Sequence, residues 1–415
     1  MTYKYAILGA GMQGPAVAYD LARFGDAETI YLADIDETRA TQKAEWVNRL
    51  LARDAVHPKR VDANDESQVR AYFEQADVVI SAVPWQMNMR LIQHALAVER
   101  SFIDMGNDPE WFWHEFRMRD EEAKRAHIAL VPDCGLAPGM VNHLGLYCME
   151  QMDECHEIRL RCGGLPQRPI PPIGYKLVFN MIGVISEYTG EALTLHEGEL
   201  HYVPTMDDVE TLEVEPLGVL EAAPTSGGTS TAPYTLQGKV REYDYKTLRY
   251  PGHWAAMRAL RDLGFFDEQP MELHGVHISP REIAAKVIPP HIDFPDEKDL
   301  VVVYAYGSGV KNGAPYSIRL QFVEYHDDAT GFTAMERCTG FAASIIAIGV
   351  AKGVVPRGIV PYEQSMTGRQ FVAEWLKRGF TLRETVSRQL ASTKKENSKS
   401  TENTAGRVYV DAGHG

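Results

Sequence analysis

Over the first third of the chain, short apolar runs alternate with amphipathic stretches. This is the pattern of strands covered on both faces and of helices that cross between them. Strands are expected at residues 5–8, 29–33, 78–82, 101–104 and 128–131, where Val, Ile and Leu predominate. Helical spacing of apolar positions covers 13–23, 38–51, 66–75, 87–97 and 109–125. Strand and helix recur roughly every 25 to 30 residues, the repeat of a doubly wound parallel α/β sheet.

Beyond residue 137 the texture changes. Prolines punctuate 165–172, a Gly/Ser/Thr loop occupies 225–232, and strand-like alternation marks 156–162, 236–243, 300–306 and 316–325. These features predict a second, α+β and mostly antiparallel domain that holds substrate. A long helix rich in Ala, Gly and Ser over 335–355 is expected to return to the first domain. The expected organisation is a dinucleotide-binding Rossmann domain at 1–136 completed by 335–390, a substrate and dimerisation domain at 137–334, and a polar tail at 394–415.

Two domains also suit a chain of 415 residues, too long for one core. A net charge of −15 would repel nucleic-acid phosphates over most of the surface, so no nucleic-acid partner is expected. The five cysteines form no CxxC pair and no zinc spacing, which points to reduced thiols and to no metal site. The opening residues run straight into a strand, and the apolar run 341–351 is too short to span a bilayer; a soluble, cytoplasmic protein without a membrane partner is the expectation.

Gly9, Gly11 and Gly14 form GAGMQG directly between a strand and a helix. In that context the glycines permit a tight turn, a close approach of backbone to a diphosphate, and close helix–strand packing. Met12 and Gln13 open the helix, and Asp34 follows about twenty residues after Gly14 at the end of the next strand. An acid there accepts from the adenosine ribose and repels a 2′-phosphate, so the expected cofactor is NAD; Arg39 would soften that preference. Ala82, Val83 and Pro84 follow a strand where such sheets place loops beside the cofactor, and they read equally as an ordinary strand ending.

The segment DCGLAPGMVNHLG at 133–145, with GYK at 174–176, SEYTGE at 186–191, TLRYPGH at 247–253 and TGFAASIIAIGVAKG from Thr339, resembles the saccharopine reductase/lysine 6-dehydrogenase family. The likeness runs over roughly residues 3–365. It implies an NAD-dependent dehydrogenase acting on an amino acid at CH–NH2, with a cleft between two domains. Family members acting on saccharopine or carboxynorspermidine usually carry an acidic residue before the proline of this loop. Here that position is Ala137, which favours the lysine-type branch: oxidation of the ε-amino carbon of L-lysine to the 6-semialdehyde, which cyclises, with release of ammonia. Saccharopine or carboxynorspermidine dehydrogenation is the alternative, and a catalytically silent nucleotide sensor a second one. The family and the open sheet edges imply a homodimer or larger assembly.

Amine oxidation needs a group to take a proton as well as an acceptor for hydride. The candidates are Asp133, Glu187, His253 and Lys176, with Arg249 for the substrate carboxylate and Tyr188 and Tyr250 lining the pocket. Gly135 and Leu136 shape the loop at the cofactor. Each residue has a plainer reading: Asp133 as a helix cap, Glu187 as an exposed helix acid, Arg249 in a structural ion pair, Lys176 solvated, His253 structural, the tyrosines in the core.

Overall fold

The computed structural model describes residues 1–389 and 402–409. Its first sheet is built from β1 (Tyr3–Leu8), β2 (Ala27–Asp34), β3 (Val56–Arg60), β4 (Val78–Ser81), β5 (Ser101–Asp104) and β6 (Ala129–Val131). Between them run α1 (Gln13–Phe24), α2 (Glu37–Leu51), α3 (Glu66–Phe73), α4 (Asn88–Ala97), α5 (Pro109–His114) and α6 (Asp120–Arg125). The sequence then continues through α7 (Val141–Met149), β7 (Glu154–Pro166), α8 (Met181–Glu187), β8 (Glu191–His196), β9 (Glu199–Pro204), β10 (Glu210–Val214) and β11 (Gly218–Pro224). Next come α9 (Ala232–Leu236), β12 (Glu242–Arg249), α10 (His253–Asp262), β13 (Met271–Leu273), β14 (Val276–Ile278), α11 (Pro280–Val287), β15 (Asp299–Lys311) and β16 (Ala314–Tyr325). The described chain closes with α12 (Ala334–Ala351), β17 (Gly358–Ile359), α13 (Gly368–Leu376), β18 (Leu382–Gln389) and β19 (Glu402–Tyr409).

The first sheet is seven-stranded and wholly parallel, in the order β17-β6-β5-β4-β1-β2-β3. The order reverses at β1, which places a crevice at the carboxyl ends of β1 and β4, where α/β sheets bind ligands. The second sheet is ten-stranded and antiparallel except for the pairing of β12 with β7. A doubly wound Rossmann domain and a mostly antiparallel α+β domain are therefore both present.

The first domain is discontinuous. Helix α12 lies against α1, and the approach is close enough that a Cβ on Gly340 would sit 2.7 Å from the Ala16 Cβ. Its start is fixed by a Thr333/Glu336 capping box and by Asp299 accepting from the Ala334 and Met335 amides, each at 2.9 Å. This helix is long and apolar enough to cross a membrane, but 78% of it is buried inside the protein. Residues 335–390, expected to complete the first domain, divide between the sheets: β17 pairs with β6, whereas β18 pairs with β16 in the second sheet. A buried ion pair joins the two parts, Arg378 Nη2 to Asp20 Oδ2 at 2.9 Å.

Other expectations change locally. The polar 394–415 segment contributes β19, which pairs with β18; the rest of that segment lies outside the described residues. The strand expected at 236–243 is instead the end of α9 followed by a turn with Gly238 at φ 75°, and the strand begins only at Glu242. Proline at the start of α9 favours that helical turn. The single helix expected over 109–125 is broken at Glu115, where the chain tightens to bury both Phe112 and Phe116. Strand β3 escaped notice because its sequence, VHPKR, is mostly exposed at a sheet edge and carries no apolar alternation.

Candidate active site

Strand β1 delivers the chain into a left-handed Gly9 at φ 111°, and a Cβ there would collide with the carbonyl of Ala82. A Cβ on Gly14 would collide with the carbonyl of Gly9. At Gly11 a Cβ would meet nothing within 4 Å. Two glycines thus permit packing and the third leaves open space at the helix start. Met12, the residue before α1, places no side chain on the helix N–H groups, and the Gln13 Oε1 is buried without a donor among the described residues. Free amides at a positive helix end, an open backbone and an unmet acceptor fit a dinucleotide diphosphate and its ribose.

Asp34, at the end of β2, accepts from the backbone amides of Ala10 and Asp36 at 3.0 Å each. Arg39 reaches it at 3.4 Å from a half-exposed position. The carboxylate is thus tied to the glycine loop itself, beside the place an adenosine ribose would occupy.

A cavity of about 760 Å³ opens next to this loop, between the domains. On the nucleotide side its wall includes Met12, Gln13, Ala82, Val83, Pro84 and Leu136. Gly135 does not face it; the residue packs behind, where a Cβ would come within 3.2 Å of the Met105 carbonyl oxygen. Across the mouth, the Tyr202 and Tyr234 hydroxyls of the second domain both donate to Glu110 Oε1 of α5, at 2.8 and 2.6 Å.

Three of the expected chemical residues meet in this cavity: Asp133, Glu187 and Arg249. Arg249 ends β12 and is almost wholly buried. Its Nε donates to the Tyr188 Oη at 2.8 Å and its Nη1 to the Leu248 carbonyl at 2.9 Å; its guanidinium lies 4.8 Å from the Tyr175 ring centroid. No carboxylate forms an ion pair with it among the described residues. A buried guanidinium without an anion is costly, and an anionic ligand would relieve that cost. The structural ion pair is therefore not what the fold built here.

Glu187 closes α8 on the cavity wall. Burial pushes its carboxyl up to about 7, and the nearby Arg249 opposes the shift. Asp133 follows β6 at φ 63° and is also pushed up to about 7 by burial, with a hydrogen bond from Ser230 opposing. Its Oδ1 accepts from the Asn107 amide at 2.8 Å and its Oδ2 from the Ser230 hydroxyl. It does not cap a helix.

The remaining expectations need correction. His253 lies wholly buried behind the wall, its Nδ1 at 3.1 Å from the Ile173 carbonyl and its Nε2 at 3.0 Å from the Tyr188 Oη. Burial, with Arg249 adding to it, lowers its imidazole to about 3, so it stays neutral and is no proton carrier for the substrate. Neutral His253 donates from Nδ1 and accepts from Tyr188, which leaves the tyrosine oxygen free to accept from Arg249. Tyr188 and His253 thus orient the guanidinium instead of touching substrate. Lys176 turns away to donate to the Phe294 carbonyl at 2.7 Å, and Tyr250 donates to the Pro166 carbonyl at 3.0 Å; neither lines the cavity.

The sequence reading also missed residues. The Gly/Ser/Thr loop at 225–231 is part of the site. Ser226 donates from its amide to the Glu187 carbonyl and from its hydroxyl to the Ser186 carbonyl, while Ser230 holds Asp133. One loop therefore positions both acids. Arg281 on the cavity wall was missed as well, and so was Asp104, fully buried and off the wall, although it ends a parallel strand just as Asp34 does, which was a usable signal.

The chain is similar to known proteins in sequence and fold. The family model described as "Saccharopine dehydrogenase NADP binding domain" matches residues 5–131, and "Saccharopine dehydrogenase C-terminal domain" matches residues 135–380. The "Saccharopine dehydrogenase [NADP(+), L-glutamate-forming]" of Pyricularia oryzae is 25% identical over 246 residues, 56% of this chain and 52% of that protein. The Saccharomyces cerevisiae protein of the same name is 24% identical over 225 residues, 51% and 49% of the two chains. The chain spans about half the length of these curated relatives. Among solved structures, apo saccharopine dehydrogenase (L-Glu forming) from Saccharomyces cerevisiae superposes with a TM-score of 0.74 at 17% identity, covering 92% of this chain and 99% of that one.

Proposed function

The chain belongs to the saccharopine dehydrogenase family, and on that footing we propose that it is a nicotinamide-nucleotide-linked oxidoreductase working at a C–N bond of an amino-acid substrate. The observation that carries this reading is Arg249: a buried guanidinium that forms no ion pair among the described residues, although Glu187 lies near it, facing a cavity that runs from the dinucleotide loop to two carboxyls of raised proton affinity. A substrate carboxylate on Arg249 would be held by a charge-assisted pair in a desolvated setting. The bound nucleotide supplies the hydride acceptor. Asp133 or Glu187 takes the proton that an ammonium must lose before its nitrogen lone pair can assist departure of hydride.

The names of the relatives favour a secondary amine of the saccharopine type as substrate, ahead of the lysine ε-amine expected from the sequence. One observation keeps lysine as a second reading. The wall carries Asp108, Glu110, Asp133, Glu187, Glu191 and Glu268 against Arg249 and Arg281, and Arg281 is already paired with Glu268. Such a surplus of acids suits a substrate bearing a free amine and one carboxylate better than one with several carboxylates.

For the nucleotide we propose NAD over NADP, although the matched family model and relatives carry NADP in their names. Asp34 would face a 2′-phosphate with like charge, and Arg39 is too exposed to cancel it fully.

The test is formation of reduced nicotinamide from saccharopine, carboxynorspermidine and lysine, with each nucleotide. Turnover of saccharopine alone supports the first reading and of lysine alone the second. Failure of all three amines, with the nucleotide still bound, overturns both.

A further inference from the structure

Behind the cavity wall a second buried carboxylate stands against Asp133. Asp104 is fully buried at the end of β5. It accepts from the Asp133 amide at 2.9 Å, the Gly106 amide at 3.1 Å and the Asn107 Nδ2 at 2.8 Å. Asn107 bridges the two acids, because its own amide donates to Asp133 Oδ1. Among the described residues, the other titratable groups acting with Asp133 are acidic or uncharged: Asp108 at the start of α5, Glu363 before α13, and the Cys134 thiol. No Lys, Arg or His pairs with either carboxylate among the described residues.

Two carboxylates fixed in one unsolvated site cannot both ionise cheaply. We propose that Asp104 and Asp133 act as a pair carrying a single negative charge, in which Asp133 exchanges the reaction's proton with the substrate nitrogen and Asp104 is a positioning residue that tunes it. Burial and the neighbouring charge push Asp104 upward in the same sense as Asp133. This inference rests on the C–N oxidoreductase reading and selects Asp133 over Glu187 as proton carrier.

The ionised pair takes one proton from the substrate ammonium, which restores the nitrogen lone pair. That pair becomes the second C–N bond as the adjacent C–H bond breaks, and its two electrons leave as hydride to the oxidised nicotinamide. The product is a cationic C=N species, which water then hydrolyses. Ser230 donates to Asp133 and stabilises the ionised form, so it opposes the burial that raises this carboxyl.

The measurement uses the full chain labelled with carboxyl-13C aspartate, titrated by NMR, with Asp133→Asn identifying the Asp133 signal. In the wild-type chain the Asp104 signal should stay that of a protonated carboxyl above the Asp133 midpoint, Asp104→Asn should leave a single Asp133 step in place of the pair's two, and Ser230→Ala should raise the Asp133 midpoint. The acid limb of kcat/KM should rise with the Asp133 midpoint in Ser230→Ala. Ionisation of both carboxyls together at the first midpoint of the folded wild-type protein overturns the pairing. Should Asp104→Asn not fold, Ser230→Ala decides: an upward shift supports the inference and no shift removes it. If neither amine class is turned over by the wild-type chain, the functional reading falls while the NMR titration still judges the pair.

Discussion

The two walls of the cavity are built by different means. On the nucleotide side, one short segment does nearly everything: Gly9, Gly11 and Gly14 are near neighbours in the chain, and each has a backbone task. On the substrate side, Arg249, Glu187, Asp133 and Ser230 come from four distant segments, and each is held by residues far away in sequence. The first wall is a conformation and the second is an assembly. A conformation tolerates no added atom at its tight positions, whereas an assembly fails through loss of a partner.

Substitutions should separate the two. The largest effect is expected from Arg249→Ala, which removes the unpaired cation: kcat/KM should fall on the order of 10²- to 10³-fold while nucleotide affinity stays level, read by kinetics and calorimetry. On the other wall, Gly9→Ala should lower stability by about 1–3 kcal/mol, since it forces a side chain into a left-handed turn that already touches Ala82. Gly11→Leu should spare the melting temperature and abolish nucleotide binding, because its space is open in the free protein.

The acids give a pH dependence of known sign. Asp133 and Glu187 keep protons in the folded chain up to about 7, whereas in the unfolded chain they lose them near pH 4. The folded state thus binds more protons in that window, so stability falls as pH rises from about 4 to 7. Thermal melts should show this decline, and Glu187→Gln should flatten it. The smallest effect belongs to His253→Gln: KM should rise several-fold as Arg249 loosens, with the pH profile unmoved. A lost pH limb in that variant would restore His253 as the proton carrier.

This contrast also explains what was legible in the sequence. The parallel sheet and the glycine loop could be read because their causes are local: apolar runs for covered strands, and glycines where backbones meet. Arg249 and Glu187 could be picked out because charged residues sat among apolar neighbours. The errors fell on residues whose role depends on a partner remote in sequence. Lys176, His253 and Tyr250 find carbonyls at Phe294, Ile173 and Pro166, and those pairings leave no trace in the local pattern. The stretch at 225–231 read only as a loop because Ser and Thr suit turns; its Ser230 hydroxyl is in fact committed to Asp133 and its Ser226 hydroxyl to the Ser186 carbonyl beside Glu187. Edge strand β3 was hidden by its polar composition.

The most direct test is calorimetric titration of saccharopine and of lysine into the full chain saturated with NAD, beside Arg249→Ala under the same conditions. Nucleotide heats should match in the two proteins, with one of the amino acids binding the wild-type chain and neither binding the variant. Equal binding of that amino acid to both proteins, or no nucleotide heat in either, would contradict the assignment.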